Sequence, residues 1–96
     1  MSKAWKVFES RVATVFGCRR RGPDHRDGRD DLTHEHFAVE CKLLTRPTWD
    51  AIVKAVKQSE RNANGREPLA IIKAKGSHDA NALVIMRLDT FAKWRL

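Results

Sequence analysis

Apolar residues recur at helical spacing near the start of the chain. Trp5, Phe8, Val12, Val15 and Phe16 follow the i, i+3, i+4 rhythm, and Gly17 stands where the run would end. At about 100° per residue, Glu9 falls about 40° from Trp5, inside the apolar stripe and off the wet face. A carboxylate that faces a core is costly unless a cation or a donor meets it. Further on, residues 36–42, HFAVECK, alternate with period two: Phe37, Val39 and Cys41 point one way, Ala38, Glu40 and Lys42 the other. Residues 48–63 return to helical spacing through Trp49, Ile52, Val53, Val56 and Ala63, with Thr48 or Thr45 as the cap and Asn64-Gly65 as the end. Glu60 falls in that stripe, as a boundary carboxylate, and Gln58 lies on the opposite side. Two more strands follow, Leu69–Ala74 and Ala82–Leu88, joined through Lys75-Gly76-Ser77-His78-Asp79 as a hairpin. A short helical turn over Asp89–Trp94 closes the chain.

This order predicts one α/β domain over residues 1–96. It has a central mixed sheet flanked by helices, in α-β-β-α-β-β order, the first β-pair being a tight hairpin around Thr33–Glu35. The strand–helix–strand unit over 36–74 would be a right-handed parallel crossover.

Charge narrows the partners. The 96 residues carry 19 Lys and Arg against 12 Asp and Glu, a net charge of +7, which points to nucleic acid or an anionic membrane surface. No run of roughly 18 apolar residues crosses a membrane, and no apolar signal segment follows Met1-Ser2-Lys3-Ala4-Trp5-Lys6. Two cysteines, Cys18 and Cys41, are too few for a disulfide framework, so the expected compartment is the cytoplasm. Their spacing to the histidines fits no common zinc pattern, and Cys41 reads as a small core residue. Residues 18–31, CRRRGPDHRDGRDD, read as a long charged loop. Its Arg19, Arg20, Arg21, Arg26 and Arg29 are candidates for phosphate contact, set against a solvated turn balanced by Asp24, Asp27, Asp30 and Asp31.

The chemistry concentrates between Asp31 and Lys42. An aspartate leads into a strand on which Glu40 and Lys42 share a face. Two carboxylates meeting there can hold one hard divalent cation, and the backbone carbonyl of Cys41 could add a third oxygen. Lys42 would orient the attacking water and stabilise developing phosphate charge. The cation, or its hydration shell, would also supply the positive partner that Glu9 needs.

Asp31, eight residues, then Glu40-Cys41-Lys42 after an apolar run resembles the signature of the PD-(D/E)XK nucleases. More narrowly, the chain resembles small Holliday-junction-resolvase-like endonucleases of archaea and phages, over roughly residues 5–90. The resemblance implies a restriction-endonuclease-like core in which Glu9, Asp31, Glu40 and Lys42 are catalytic. Glu9, Asp31, Glu40 and the Cys41 carbonyl would hold Mg²⁺ or Mn²⁺. Asp30 directly precedes Asp31, so either aspartate could fill the motif position. His34, three residues after Asp31, matches the phage-type variant; Lys73, in Pro-Leu-Ala-Ile-Ile-Lys, matches a lysine of many relatives. Arg11, His34 and Lys73 join the loop arginines as DNA-contact candidates. The implied activity is metal-dependent cleavage of branched or four-way-junction DNA by a homodimer, leaving 5′-phosphate ends. The alternatives are a structure-nonspecific or nicking endonuclease of the same fold, and a basic DNA-binding module without catalysis.

Overall fold

The computed structural model describes residues 3–21 and 30–93. Helix α1 (Ala4–Phe16) is followed by strand β1 (Phe37–Leu44), helix α2 (Trp49–Arg61), strand β2 (Glu67–Ala74), strand β3 (Leu83–Ile85) and helix α3 (Leu88–Ala92). A short 3₁₀ turn, Asp79–Asn81, lies between β2 and β3. The sheet has the order β1-β2-β3: β1 runs parallel to β2 from Phe37 opposite Glu67 to Leu44 opposite Ala74, and β2 runs antiparallel to β3. The expected mixed α/β sheet and the parallel strand–helix–strand unit are therefore present.

The alternation along β1 and β2 sets three layers. Val39, Cys41, Leu69 and Ile71 face α1 and pack with Phe8, Val12, Ala13 and Leu32. Ala70 and Ile72 face the other way, onto Ala55 and Val56 of α2. By the same parity Glu40 and Lys42 lie on the α2 side of β1, while Lys73 of β2 lies on the α1 side.

One end of each long helix is set by a local signal, while α2 stops at Arg61, short of the Asn64-Gly65 expected to end it. Thr48 Oγ1 accepts from the Ala51 N–H at 3.2 Å, one of the two caps expected for α2. Gly17 takes the left-handed conformation, φ 70°, that lets its N–H reach Thr14 and the Cys18 N–H reach the Ala13 carbonyl. This paired closure turns the chain sharply after α1, and a side chain at that φ would be strained. The turn sends Arg19–Arg21 back toward the sheet, where Arg20 bridges Leu32 in antiparallel fashion.

Four expectations are corrected. Leu32 makes only that isolated bridge, so among the described residues one strand, β1, stands where the α-β-β-α-β-β order had two. The tight hairpin at Thr33–Glu35 is instead a turn held by His34, whose Nδ1 accepts from the His36 and Phe37 N–H groups at 3.0 and 3.1 Å. Val15, placed by spacing on the core stripe of α1, is exposed: the buried face is Phe8, Glu9, Val12 and Ala13, rotated away from it. The last strand is also shorter than Ala82–Leu88, and α3 takes Leu88 from it; Trp94, at the end of the expected helical turn, lies outside the described residues.

Candidate active site

β1 is an edge strand, and its free edge is covered by the chain at residues 30–32. The Asp31 N–H donates to the Val39 carbonyl at 3.0 Å, the Val39 N–H donates to Asp30 Oδ2 at 2.9 Å, and the Cys41 N–H donates to Asp31 Oδ2 at 2.8 Å. Two aspartate side chains thus satisfy backbone donors that an open edge would leave to water or to another chain. Leu32, fully buried between α1 and the sheet, anchors the segment; removing such a side chain from water is worth about 2–3 kcal/mol. The Cys41 N–H faces the free edge, and strand geometry turns its carbonyl to the same side.

The two aspartates are placed differently. Asp30 is wholly buried, and its carboxylate is spent on structure. Arg66 Nη2 meets Oδ1 at 2.7 Å, Arg21 Nη2 meets Oδ1 at 3.1 Å, and the Val39 N–H takes Oδ2. Asp31 is the aspartate placed beside Glu40.

Glu40 is 2 % exposed. Its Oε1 stands 3.7 Å from Lys42 Nζ, and its Oε2 is buried with no hydrogen-bond partner. Burial pushes the Glu40 carboxyl up to about 8, with the charge of Asp31 as the next cause; Lys42 opposes the rise and Asp30 adds to it. Asp31, Glu40 and Lys42 are therefore brought together at the edge, as the sequence anticipated. Cys41 between them is a core residue: burial and the surrounding carboxylates push its thiol well above the usual range, so it is no thiolate nucleophile.

Glu9 is placed differently from expectation. It sits on α1, on the opposite side of the sheet from Glu40, and its Oε1 accepts from Arg20 Nε at 2.7 Å. The cation that answers the buried carboxylate is thus a guanidinium, itself laid over the Trp5 ring at 5.5 Å. Among the described residues, no group of three or more His, Cys, Asp or Glu side chains is arranged to hold a metal ion. The donor set at the edge is two carboxylates with the Cys41 carbonyl. An orphaned buried carboxylate oxygen beside a second carboxylate suits a hard divalent cation, which takes oxygen ligands.

The candidate DNA contacts separate as well. Arg21 is turned inward, with Nε on the Asp30 carbonyl and Nη2 on the Leu32 carbonyl at 2.7 Å. Lys73 is buried on the α1 side, 2.6 Å from Asp79 and over the Phe8 ring, which corrects its reading as a substrate contact. Asp79 is held below the usual carboxylate range chiefly by the hydrogen bond from Lys73. Arg11 reaches Asp79 at 3.3 Å from an exposed position, and Arg19 is exposed. His34 spends Nδ1 on its turn and packs edge-on against Phe16, so it too serves the fold. Arg26 and Arg29 lie outside the described residues. Glu60 pairs with Arg87, the boundary role expected of it.

Arg66 is the residue that sequence reasoning missed. Besides Asp30, it donates to the carbonyls of His34 at 2.9 Å, Phe37 at 3.2 Å, Asn62 at 3.2 Å and Ala63 at 3.2 Å. It ties the end of α2, the turn before β1 and the edge segment into one piece. Nothing in its neighbourhood, Asn64-Gly65-Arg66-Glu67, signals this role.

Compared with known proteins, the chain matches no protein-family model, no curated protein and no solved structure. No helix among the described residues is long and apolar enough to cross a membrane.

Proposed function

We propose that the protein is a metal-dependent endodeoxyribonuclease of the PD-(D/E)XK type, acting on branched or four-way-junction DNA. The reading is carried by one observation: Asp31, Glu40 and Lys42, distant along the chain or alternate on a strand, share the free edge of β1, with a Glu40 oxygen buried and unpartnered. Asp31, Glu40 and the Cys41 carbonyl would hold Mg²⁺ or Mn²⁺. Such an ion supplies Lewis-acid neutralisation of charge developing on the phosphate. Asp31 is oriented for this by the Cys41 N–H, and Asp30 and Arg66 hold the backbone that presents it. Lys42, half-exposed beside Glu40, is placed to position a water and to meet a phosphate oxygen. Glu9 acts through Arg20 as a support for the α1 side of the edge.

A homodimer, with two sites on two strands, is part of the same proposal. The exposed edge strand β3, with Leu83 and Val84 largely in solvent, is the apolar surface that supports it.

The test is cleavage of labelled duplex, nicked, flap and four-way DNA of one sequence, with Mg²⁺ or Mn²⁺ and with EDTA. Metal-dependent cutting that falls by at least about 100-fold in Lys42→Ala and Glu40→Ala, with DNA binding kept in Lys42→Ala, supports the reading. Cutting that persists in Glu40→Ala sinks it. Equal cutting of all four substrates removes the junction preference and leaves a nonspecific nuclease.

A further inference from the structure

We propose that the phosphate backbone of DNA lies along the outer face of α2, on Lys54, Lys57 and Arg61, with Arg46 extending the track at its start. The proposal rests on the nuclease reading for its ligand class and names the binding surface that the sequence had placed in the arginine-rich loop.

The described cations sort into two groups. Arg11, Arg20, Arg21, Arg66, Lys73 and Arg87 each end on a carboxylate, and Lys42 stands beside Glu40 at the edge site. A cation already neutralised by a carboxylate must break that pair to take a phosphate, so it contributes little to an electrostatic binding face. Arg46, Lys54, Lys57 and Arg61, like the scattered Lys3, Lys6, Arg19, Lys75 and Lys93, are exposed and form no ion pair among the described residues.

The free cations of α2 are also ordered. Lys54, Lys57 and Arg61 stand at i, i+3 and i+7, on one stripe of the helix, while Ala55, Val56 and Ser59 form its buried side. At about 1.5 Å per residue the stripe is about 10 Å long, close to three base-pair steps at about 3.4 Å along a DNA strand. Asp50 shares this face in the first turn, where a carboxylate complements the helix N-terminus, and it leaves the stripe with a positive excess. α2 covers the sheet side to which Glu40 and Lys42 point, and it starts just beyond the end of β1 that carries Lys42 and leads to Arg46. A backbone lying on the stripe therefore approaches the edge site from the same side.

The test measures binding in EDTA, where cleavage plays no part. Fluorescence anisotropy of labelled duplex and four-way DNA compares wild type, Lys54→Glu/Lys57→Glu/Arg61→Glu, the single Lys57→Glu, and a control of equal charge, Lys3→Glu/Lys6→Glu/Lys93→Glu. Circular dichroism melts check that each variant is folded; if the triple variant is not, Lys57→Glu decides. At about 50 mM salt the α2 triple variant loses affinity on the order of 100-fold. Its slope of log K against log salt shrinks by nearly three, at about 0.9 per phosphate, and that of Lys57→Glu by about one. The control loses less than about 5-fold. Equal losses in the α2 variant and the control, an unchanged salt slope, or no DNA binding by wild type overturns the proposal. So does loss of binding to phosphatidylserine vesicles with DNA binding intact, which would give the face to a lipid surface. The two readings fail separately. Wild-type binding that depends on α2 without metal-dependent cleavage removes the nuclease reading alone. Glu40-dependent cleavage with unaltered binding by the α2 variant removes this surface alone.

Discussion

Replacing Glu40 with glutamine should stabilise the metal-free protein at alkaline pH and leave it nearly unchanged in acid. In the native state the carboxyl ionises at about 8, against 4.5 for the free side chain, because burial and the neighbouring Asp31 oppose its charge. Between those values the native protein keeps a proton that the unfolded chain has released. The native state then binds more protons, so stability falls as pH rises, by up to about 1.4 kcal/mol per pH unit. A rise from 4.5 to about 8 corresponds to at most about 5 kcal/mol at 1.36 kcal/mol per unit, and the coupling of Glu40 to its charged neighbours leaves about 2–5 kcal/mol. Glutamine resembles the protonated acid and has no proton to lose. The assay is urea unfolding in EDTA at intervals from pH 5 to 9, taking wild type minus Glu40→Gln so that the contributions of the histidines cancel. The difference should favour the variant increasingly above pH 5 and level off above pH 8. A difference that stays flat over that window, or favours wild type as pH rises, refutes the account of the buried carboxyl pair. Saturating Mn²⁺ should shrink the variant's advantage at pH 8 by about 2.7 kcal/mol at 100 times the wild-type Kd, because the ion stabilises wild type and not the variant.

Arg66→Ala should lower stability by about 3–5 kcal/mol, because it leaves Asp30 buried with less charge compensation and frees several carbonyls. Arg66→Lys should recover little of this, since an ammonium cannot reproduce the planar set of donors; a urea midpoint within about 1 kcal/mol of wild type for either variant contradicts the role assigned to Arg66. Arg20→Ala and Glu9→Gln should be strongly non-additive, with a coupling of about 1–3 kcal/mol in a double-mutant cycle, because each removes the other's buried partner. Additive losses would mean that Glu9 is met chiefly by something other than Arg20.

Local chemistry settled much before any coordinates. The alternation in HFAVECK, the Thr48 cap and the Gly17 turn depend on neighbours a few residues apart, and each appears as read. The pairing of Glu40 with Lys42 was equally legible, since a strand puts i and i+2 on one face whatever surrounds it. The oddity of Glu9 was legible too: its periodicity said that a carboxylate faced the core, and it does.

What answers that carboxylate was beyond the sequence. A charge in a core accepts any cation that folding delivers, and the turn at Gly17 delivers Arg20. The different surroundings of Asp30 and Asp31 are likewise tertiary. The two are chemically identical and adjacent, and only the folded chain shows that Arg66, 36 residues away, pairs with Asp30 while Asp31 lies beside Glu40. The same holds for the basic residues: composition counts their charge, but whether an arginine is a free cation or half of a buried ion pair depends on which carboxylate lies within a few ångströms. Periodicity and capping are properties of short stretches; partnership is a property of the folded chain, because Coulomb and hydrogen-bond energies depend on distance in space.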